Sequence, residues 1–181
     1  GCVFAVQGGI GVCFADITTG EVYATGSDNW QDIASELGRF GPREVLVGGM
    51  AATADSFTAF LRERLEALIE PMPEESFDAQ RAAERIIQHF RIEDFDAAGL
   101  TDLPQTIQCL GGLLDYLEQT QQASLAALNH LQVYHQGQYM ELDLIARRNL
   151  ELCETMRTKE KKGTLLWVLD RTRTAMGSRL I

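Results

Sequence analysis

The chain has 181 residues, of which 45% are hydrophobic and 23% charged, and its formal net charge is −10. This composition is typical of a folded protein and excludes an intrinsically disordered one, and the length suits one domain or one domain plus part of another. No stretch of about 18 uncharged apolar residues is present, so we expect no segment that spans a membrane and no membrane partner, and the first residues lack the basic flank of a signal peptide. The cysteines lie among apolar residues, which suits reduced thiols and predicts a cytoplasmic protein.

The charge is distributed unevenly along the chain. Residues 1–128 carry 7 Arg and 20 Asp and Glu, for a net charge of −13, whereas residues 129–181 carry 9 Lys and Arg and 6 Asp and Glu, for a net charge of +3. A domain as acidic as the first part repels a phosphate backbone, so we do not expect it to bind DNA by itself. The change in composition predicts a domain boundary near residue 130.

The first elements alternate between strand and helix patterns. The segments "CVFAV", "IGVCFADI" and "DITTGEVYAT" have a period of two and are separated by turns, which predicts a three-stranded antiparallel meander over residues 2–25. The segment "SDNWQDIASELGRF" has a helical period, with Ser27 or Asp28 as its N-cap and an end at Gly41. The apolar segment "EVLV" then predicts a buried parallel strand, and this order of elements predicts an α/β sheet covered by helices.

The later segments are predicted to be mostly helical. "TADSFTAFLRERLEALIE" has an apolar stripe that extends to Leu68, and "QTIQCLGGLLDYLEQTQ" predicts a long helix in which Gly111 and Gly112 indicate close packing against a neighbour. A short helix over residues 123–130, an extended connector and the helical segments "LDLIARRNLELCETM", "TLLWVLDRT" and "TAMGSRLI" complete the chain. The last two segments begin at the N-cap candidates Thr164 and Thr174. "FDAQRAAERIIQHF" predicts a helix capped by Asp78, whose buried face we expect to consist of Ala79, Ala83, Ile86, Ile87 and Phe90.

One carboxylate raises the possibility of metal-dependent catalysis. Asp16 precedes the "ITTG" turn of the meander, where ribonuclease H-like enzymes place a catalytic aspartate. Two-metal catalysis needs several converging carboxylates, and the next strand offers only Glu44 at its edge. The alternative interpretation is that Asp16 and Thr18 form hydrogen bonds that stabilise the turn. No Walker motif and no Ser, His and Asp set for nucleophilic catalysis is present.

The cysteines and histidines show no spacing typical of a metal site. None of the four cysteines belongs to a C-x-x-C pair, and each lies among apolar residues, which predicts reduced structural thiols. The three histidines are scattered and lack carboxylate neighbours at ligand spacing. We therefore expect no metal ligand among the cysteines Cys2, Cys13, Cys109 and Cys153 or among the histidines.

The basic residues near the end of the chain allow two interpretations. In "ARRNLELCE", Arg147 is spaced to pair with Asp143 and with Glu151, which favours a structural helix with neutralised charges. The alternative is a DNA-binding module that acts through the arginines of residues 147–179, for which affinity would fall steeply with salt.

Five segments together resemble a known family. The segments "FADITTGEVYAT", "ELGRFGPREVLV", "GGLLDYLEQTQQASLAALNHLQVY", "YMELDLIARRNLEL" and "KKGTLLWVLDRTRTAMGSRLI" resemble, in this order, successive blocks of the DNA mismatch repair proteins of the MutS family. The resemblance implies a ribonuclease H-like α/β connector domain over residues 1–130 and a linker over 131–139. It also implies the first α-helices of an all-α core, or lever, domain over 140–181.

The resemblance also implies a function. Family members bind mispaired bases in duplex DNA, bind and hydrolyse ATP with Mg²⁺, act as homodimers and recruit MutL. The mismatch-reading Phe-x-Glu motif and the nucleotide-binding P-loop are not found in this sequence. We therefore expect a piece of a longer protein that has no catalytic, cofactor or metal site and that relays signals between the DNA-reading and ATPase domains.

The resemblance further implies that the connector offers a surface to MutL. The helix that follows Pro73 is the candidate, because its outward face carries charges of both signs. The alternative is an ordinary solvated face. The predicted partner-binding residues are Asp78, Arg81, Glu84, Arg85 and Gln88.

Overall fold

The structure, a computed structural model, describes residues 1–120, 125–135, 142, 144–174 and 177–178. Within it the chain forms two compact units, residues 1–138 and residues 139–181. The first unit contains a sheet of six strands in the order β5-β4-β1-β2-β3-β6. The strands are β1 (Cys2–Val6), β2 (Gly9–Asp16), β3 (Glu21–Ser27), β4 (Glu44–Gly49), β5 (Leu68–Pro71) and β6 (His130–Val133).

The centre of the sheet has the predicted topology. Strands β1, β2 and β3 form an antiparallel meander, and β4 lies parallel to β1. The edge strands β5 and β6 lie parallel to β4 and β3, respectively. The prediction of a meander followed by a buried parallel strand is therefore confirmed, and the first unit has a mixed α/β fold.

Helices cover both faces of the sheet. The first unit contains α1 (Trp30–Phe40), α2 (Met50–Thr53), α3 (Asp55–Glu63), a 3-10 turn (Glu74–Phe77), α4 (Ala79–Phe90) and α5 (Pro104–Thr120). Because side chains alternate along a strand, neighbouring residues of β1 belong to different cores. Val3 packs with α1, α2 and α3, whereas Phe4 packs with the 3-10 turn, α4 and α5.

Strand β5 was not predicted. The helix expected to continue to Leu68 ends at Glu63, and Leu68–Pro71 pairs with β4 as an edge strand. Leu68 is 64% exposed, so it is not part of the apolar stripe that the sequence indicated. Pro71 is compatible with this position, because an edge strand can accommodate a residue that lacks an N–H donor.

Strand β6 lies partly in the predicted linker. Residues 131–133 belong to β6, which pairs with β3, and Tyr134 donates its backbone N–H to the oxygen of Ala24 at 3.1 Å. The extended backbone that the sequence predicted is thus part of the sheet at this point. Residues 121–124 and 136–141, which include parts of the predicted helix over 123–130 and of the linker, lie outside the described residues.

The N-cap of α1 differs from the predicted one. The side chain of Asn29, not that of Ser27 or Asp28, accepts a hydrogen bond from the N–H of Gln31 at 2.9 Å. Ser27 supports the cap instead, because its Oγ accepts from the N–H of Asn29 at 3.0 Å. The predicted end of the helix is confirmed, since Gly41 adopts a left-handed conformation and donates to the oxygen of Leu37.

The second unit contains two short described helices, α6 (Leu144–Asn149) and α7 (Leu165–Leu169). The side chain of Thr164 caps α7 by accepting from the N–H of Trp167 at 3.1 Å, as the sequence predicted. Residues 175–176 and 179–181 of the predicted last helical segment lie outside the described residues. No described helix has both the length and the apolar character needed to cross a bilayer.

Candidate partner-binding face

The candidate face is built on helix α4. The helix begins after Asp78, whose Oδ1 accepts a hydrogen bond from the N–H of Arg81 at 2.9 Å, so the predicted N-cap is confirmed. It ends at Phe90, and the following residue, Arg91, adopts a left-handed conformation with φ of 55°. Four backbone N–H groups at a helix start lack helical partners, and the Asp78 carboxylate satisfies one of them.

The buried face of α4 differs from the predicted one. Ala82 and Ile86 are buried, whereas Ala79 is exposed and Ile87 is 44% exposed. The cause is the close approach of α5, because a Cβ on Gly111 would lie 2.3 Å from the Cβ of Ala82. The glycine therefore selects which side of α4 packs inwards, and it confirms the close packing that the sequence indicated at this position.

Four of the five predicted partner-binding residues are exposed, and the fifth is committed to an internal contact. The side chain of Arg85 is 26% exposed, and its Nη2 lies 2.7 Å from Oδ1 of Asp115 on α5. Its Nε lies 3.5 Å from Oε2 of Glu118. The exposed residues are Asp78, Arg81, Glu84 and Gln88.

One exposed apolar residue of this surface was not predicted from the sequence. The helical period predicted that Ile87 lies on the buried face with Ala83, but Ile87 is 44% exposed and lies beside Glu84 and Gln88. A groove runs next to these residues, between α4 and the end of α5. The groove is lined by Arg81, Glu84, Arg85, Gln88, His89, Arg91, Glu118 and Leu125.

Asp16 lies at the end of β2 and acts within the turn. Its Oδ1 accepts hydrogen bonds from the backbone N–H of Thr18 at 2.8 Å and from the hydroxyl of Thr18 at 2.5 Å. This geometry agrees with the turn-stabilising interpretation. Among the described residues, the converging group of possible metal ligands consists of cysteines and does not include Asp16.

Three cysteines that are far apart in sequence meet in the core. Sγ atoms of Cys2, Cys13 and Cys109 lie within 4.8 Å of one another, and all three residues are buried. Burial raises the pKa of the Cys13 and Cys109 thiols well above the usual range, because a thiolate loses its hydration there. The expected structural role is compatible with this packing, but the spacing in the sequence did not indicate the convergence.

The arginine helix of the second unit is shorter than predicted. Helix α6 ends at Asn149, and the Oε1 of Glu151 accepts a hydrogen bond from the N–H of Met156 at 2.7 Å. The helical spacing had predicted an ion pair between Glu151 and Arg147. The Glu151 carboxylate instead binds the backbone of the loop that follows. The other predicted partner, Asp143, lies outside the described residues.

Comparison with known proteins identifies the family. Residues 1–132 match the family model described as MutS domain II, and residues 145–181 match the one described as MutS domain III. The chain belongs to the MutS family. The domain II match lies in the first compact unit and the domain III match lies in the second.

Relatives of the MutS family resemble nearly all of this chain. The DNA mismatch repair protein MutS of Bacillus subtilis is 40% identical over 179 residues, which cover 99% of this chain and 19% of that protein. The MutS protein of Symbiobacterium thermophilum is 38% identical over 176 residues, covering 96% and 20%. The MutS protein of Lachnoclostridium phytofermentans is 35% identical over 171 residues, covering 94% and 18%. The chain thus spans about a fifth of the length of these relatives.

Membership of the MutS family decides between the interpretations of the sequence. It favours a mismatch repair protein over the metal-dependent nuclease built on Asp16. The observed hydrogen bonds of Asp16 within its turn agree with this conclusion.

Proposed function

We propose that this chain is the connector of a MutS-type mismatch repair protein, with a ribonuclease H-like first domain and the start of a helical core domain. The observation that carries the proposal is the match to MutS domains II and III over nearly all of the chain. The sheet supports the fold assignment, because a three-stranded antiparallel meander leads into the parallel strands β4 and β5.

In this proposal the chain is a non-catalytic piece of a longer cytoplasmic protein. Mispaired duplex DNA, ATP and Mg²⁺ bind to other parts of that protein, which acts as a homodimer, and the connector relays the nucleotide state to the DNA-reading domain. The mixed sheet, packed between two layers of helices, supports this role because a well-packed core transmits displacement instead of absorbing it.

The outward face of α4 is proposed as the docking surface for MutL. Three features support this assignment. The face presents charges of both signs in Arg81 and Glu84, it includes the exposed apolar side chain of Ile87, and it borders a groove. Charges of both signs set the orientation of a partner, and an exposed apolar side chain supplies affinity. The ion pair between Arg85 and Asp115 joins α4 to α5 and so contributes to the position of this face on the first unit.

The first experiment measures binding of MutL to the chain by interferometry. The test variant carries Arg81→Glu and Glu84→Lys, which reverses both charges without changing the net charge. Arg85 is left unchanged, because reversing its charge would break the ion pair with Asp115. A loss of MutL binding could then come from a less stable fold and not from a lost contact with MutL. We expect the double reversal to weaken binding at least about tenfold, since each unfavourable charge contact costs on the order of 1 kcal/mol or more.

The matched control carries Arg62→Glu and Glu63→Lys. These two residues are also exposed neighbours on a helix, but α3 covers the opposite face of the sheet from α4. The control should bind MutL as the unmodified chain does. Equal losses in both variants, or no loss in either, would remove α4 as the docking surface.

The nuclease alternative is tested by incubating the chain with Mg²⁺ or Mn²⁺ and nucleic acid. We expect no cleavage, whereas the alternative predicts cleavage that depends on Asp16. Any cleavage that Asp16→Asn abolished, while Asp28→Asn retained it, would restore the alternative. Asp28 is a suitable control because it is an exposed aspartate that precedes α1.

A further inference from the structure

The tertiary fold brings three thiols together at one point of the core. Cys2 of β1 and Cys13 of β2 are directly opposite each other in the antiparallel pair, so their side chains point to the same face of the sheet. Cys109 reaches this face from α5. Its Sγ lies 3.4 Å from that of Cys13 and 3.1 Å from the backbone oxygen of Cys2.

The separations of the sulfur atoms are suited to a single metal ion. An ion bound to three sulfurs at about 2.3 Å each, the usual Zn–S length, holds them about 4 Å apart in a trigonal arrangement. The three Sγ atoms lie within 4.8 Å of one another and the Cys13–Cys109 pair is separated by 3.4 Å, so the sulfur atoms already lie close to the required spacing.

The chemistry of the donors restricts the ion. Three sulfur donors select a soft ion and disfavour Mg²⁺ or Ca²⁺, which prefer oxygen ligands. The described residues place no His, Asp or Glu ligand in this group. Of the monovalent and divalent soft ions, the one that gives the complex of smaller net charge is favoured in a buried apolar core. A divalent ion with three thiolates leaves one negative charge, whereas a monovalent ion leaves two.

We propose that Cys2, Cys13 and Cys109 form a binding site for one thiophilic divalent ion of the zinc group. Binding converts three thiols and one M²⁺ into a tris-thiolate complex of charge −1 and releases three protons to solvent. The ion links β1, β2 and α5, which are separated by up to 107 residues in the chain. It would therefore stabilise the connector fold without taking part in any reaction.

The test loads the reduced chain with Cd²⁺ or Zn²⁺ during refolding, because the folded core buries all three sulfurs and metal binding can accompany folding. We expect one Cd²⁺ per chain, with an ultraviolet thiolate-to-cadmium absorption band, and about three protons released per ion. The bound ion should also raise the melting temperature, because it binds the folded state.

Cysteine variants show whether the ion binds at the three buried cysteines or at Cys153. Cys153 is exposed and lies in the second unit, so Cys153→Ser should keep the band and the stoichiometry. Cys13→Ala and Cys109→Ala should each weaken binding by about a hundredfold, because removing a ligand costs no less than the roughly 10–100-fold loss that follows removal of a residue supporting a ligand. Circular dichroism of both alanine variants without metal establishes whether they fold.

The number of protons released and the rise in melting temperature are measured on the unmodified chain. These two measurements therefore test the proposal even if the alanine variants fail to fold. No bound ion after refolding of the unmodified chain would overturn the proposal. Loss of the band in Cys153→Ser, or its retention in folded Cys13→Ala, would also overturn it.

Discussion

Arg85 of α4 donates a hydrogen bond from Nη2 to Oδ1 of Asp115 on α5, at a distance of 2.7 Å. This contact joins two helices whose paired residues are 30 positions apart in the chain. The side chains are 26% and 15% exposed, so the ion pair is partly shielded from solvent. It gives Arg85 a structural role on the helix proposed to bind MutL.

Replacing Asp115 by Asn should destabilise the first unit by about 1 kcal/mol, because a charge-assisted hydrogen bond between partly shielded groups is weakened. Urea unfolding monitored by circular dichroism measures this change. The matched control is Glu118→Gln, since Glu118 is 56% exposed and 3.5 Å from Arg85, and its effect should be near zero. The difference between the variants should shrink in 1 M salt. A larger effect of Glu118→Gln would contradict the assignment.

Gly111→Ala should destabilise the protein by about 1–3 kcal/mol, even though alanine favours a helix by about 1 kcal/mol. The added methyl group would lie 2.3 Å from the Cβ and 2.6 Å from the Cα of Ala82. Thermal unfolding measures the loss. Ala82→Gly in the same chain should recover part of it, with a coupling free energy of at least about 0.5 kcal/mol. Ala83→Gly is the control, and its effect should simply add to that of Gly111→Ala.

Asp78→Ala should cost about 1 kcal/mol of folding free energy, because the N–H of Arg81 would lose its acceptor at the start of α4. Asp78→Asn keeps an N-cap and removes the charge, so its folding free energy should remain close to that of the unmodified chain. Comparing MutL binding by these two variants separates the effect of Asp78 on the stability of α4 from its effect on MutL affinity. If the Asp78 charge contacts MutL, Asp78→Asn weakens binding at unchanged stability. Equal stability of both variants would refute the capping role.

Tyr134→Phe should make the free energy of unfolding fall less steeply as the pH rises into the alkaline range. Burial, together with the hydrogen bond that the Tyr134 hydroxyl donates to Oε2 of Glu36 at 2.6 Å, raises the pKa of this tyrosine above its usual range. A raised pKa in the folded state gives stability that is fully present below the unfolded-state pKa of about 10 and is lost as the pH rises above it.

The measurement is the free energy of unfolding in urea between about pH 9 and pH 11. The unmodified chain should lose stability more steeply than Tyr134→Phe, by at most about 1 kcal/mol per pH unit because the side chain is partly exposed. Below about pH 9 the two chains should differ by a constant amount. Parallel curves over the whole range would show that the Tyr134 hydroxyl does not ionise differently in the two states.

The elements with strong local patterns were predictable from the sequence by itself. The alternation along β1, β2 and β3 and the helical period of α1 and α5 depend on which residues follow one another. The N-caps Asp78 and Thr164 and the glycine end of α1 are equally local, because a cap is a contact between residues two or three positions apart. The resemblance of whole segments was sufficient to recognise the MutS family.

Only the tertiary structure determined the features that depend on a distant partner. Strands β5 and β6 have four residues each and are held by backbone hydrogen bonds to β4 and β3, which no local pattern specifies. The contact with Gly111 decided which face of α4 is buried, and Asp115 decided that Arg85 is not free for a partner.

The three buried cysteines illustrate the same distinction. Cys2 and Cys13 are brought together by strand pairing, and Cys109 is added by the path of α5 across the sheet. Their positions in the sequence carry no ligand spacing, because each lies on a different element. The sequence determined that thiols occupy apolar positions, and the packing of the helix on the sheet determined that they meet.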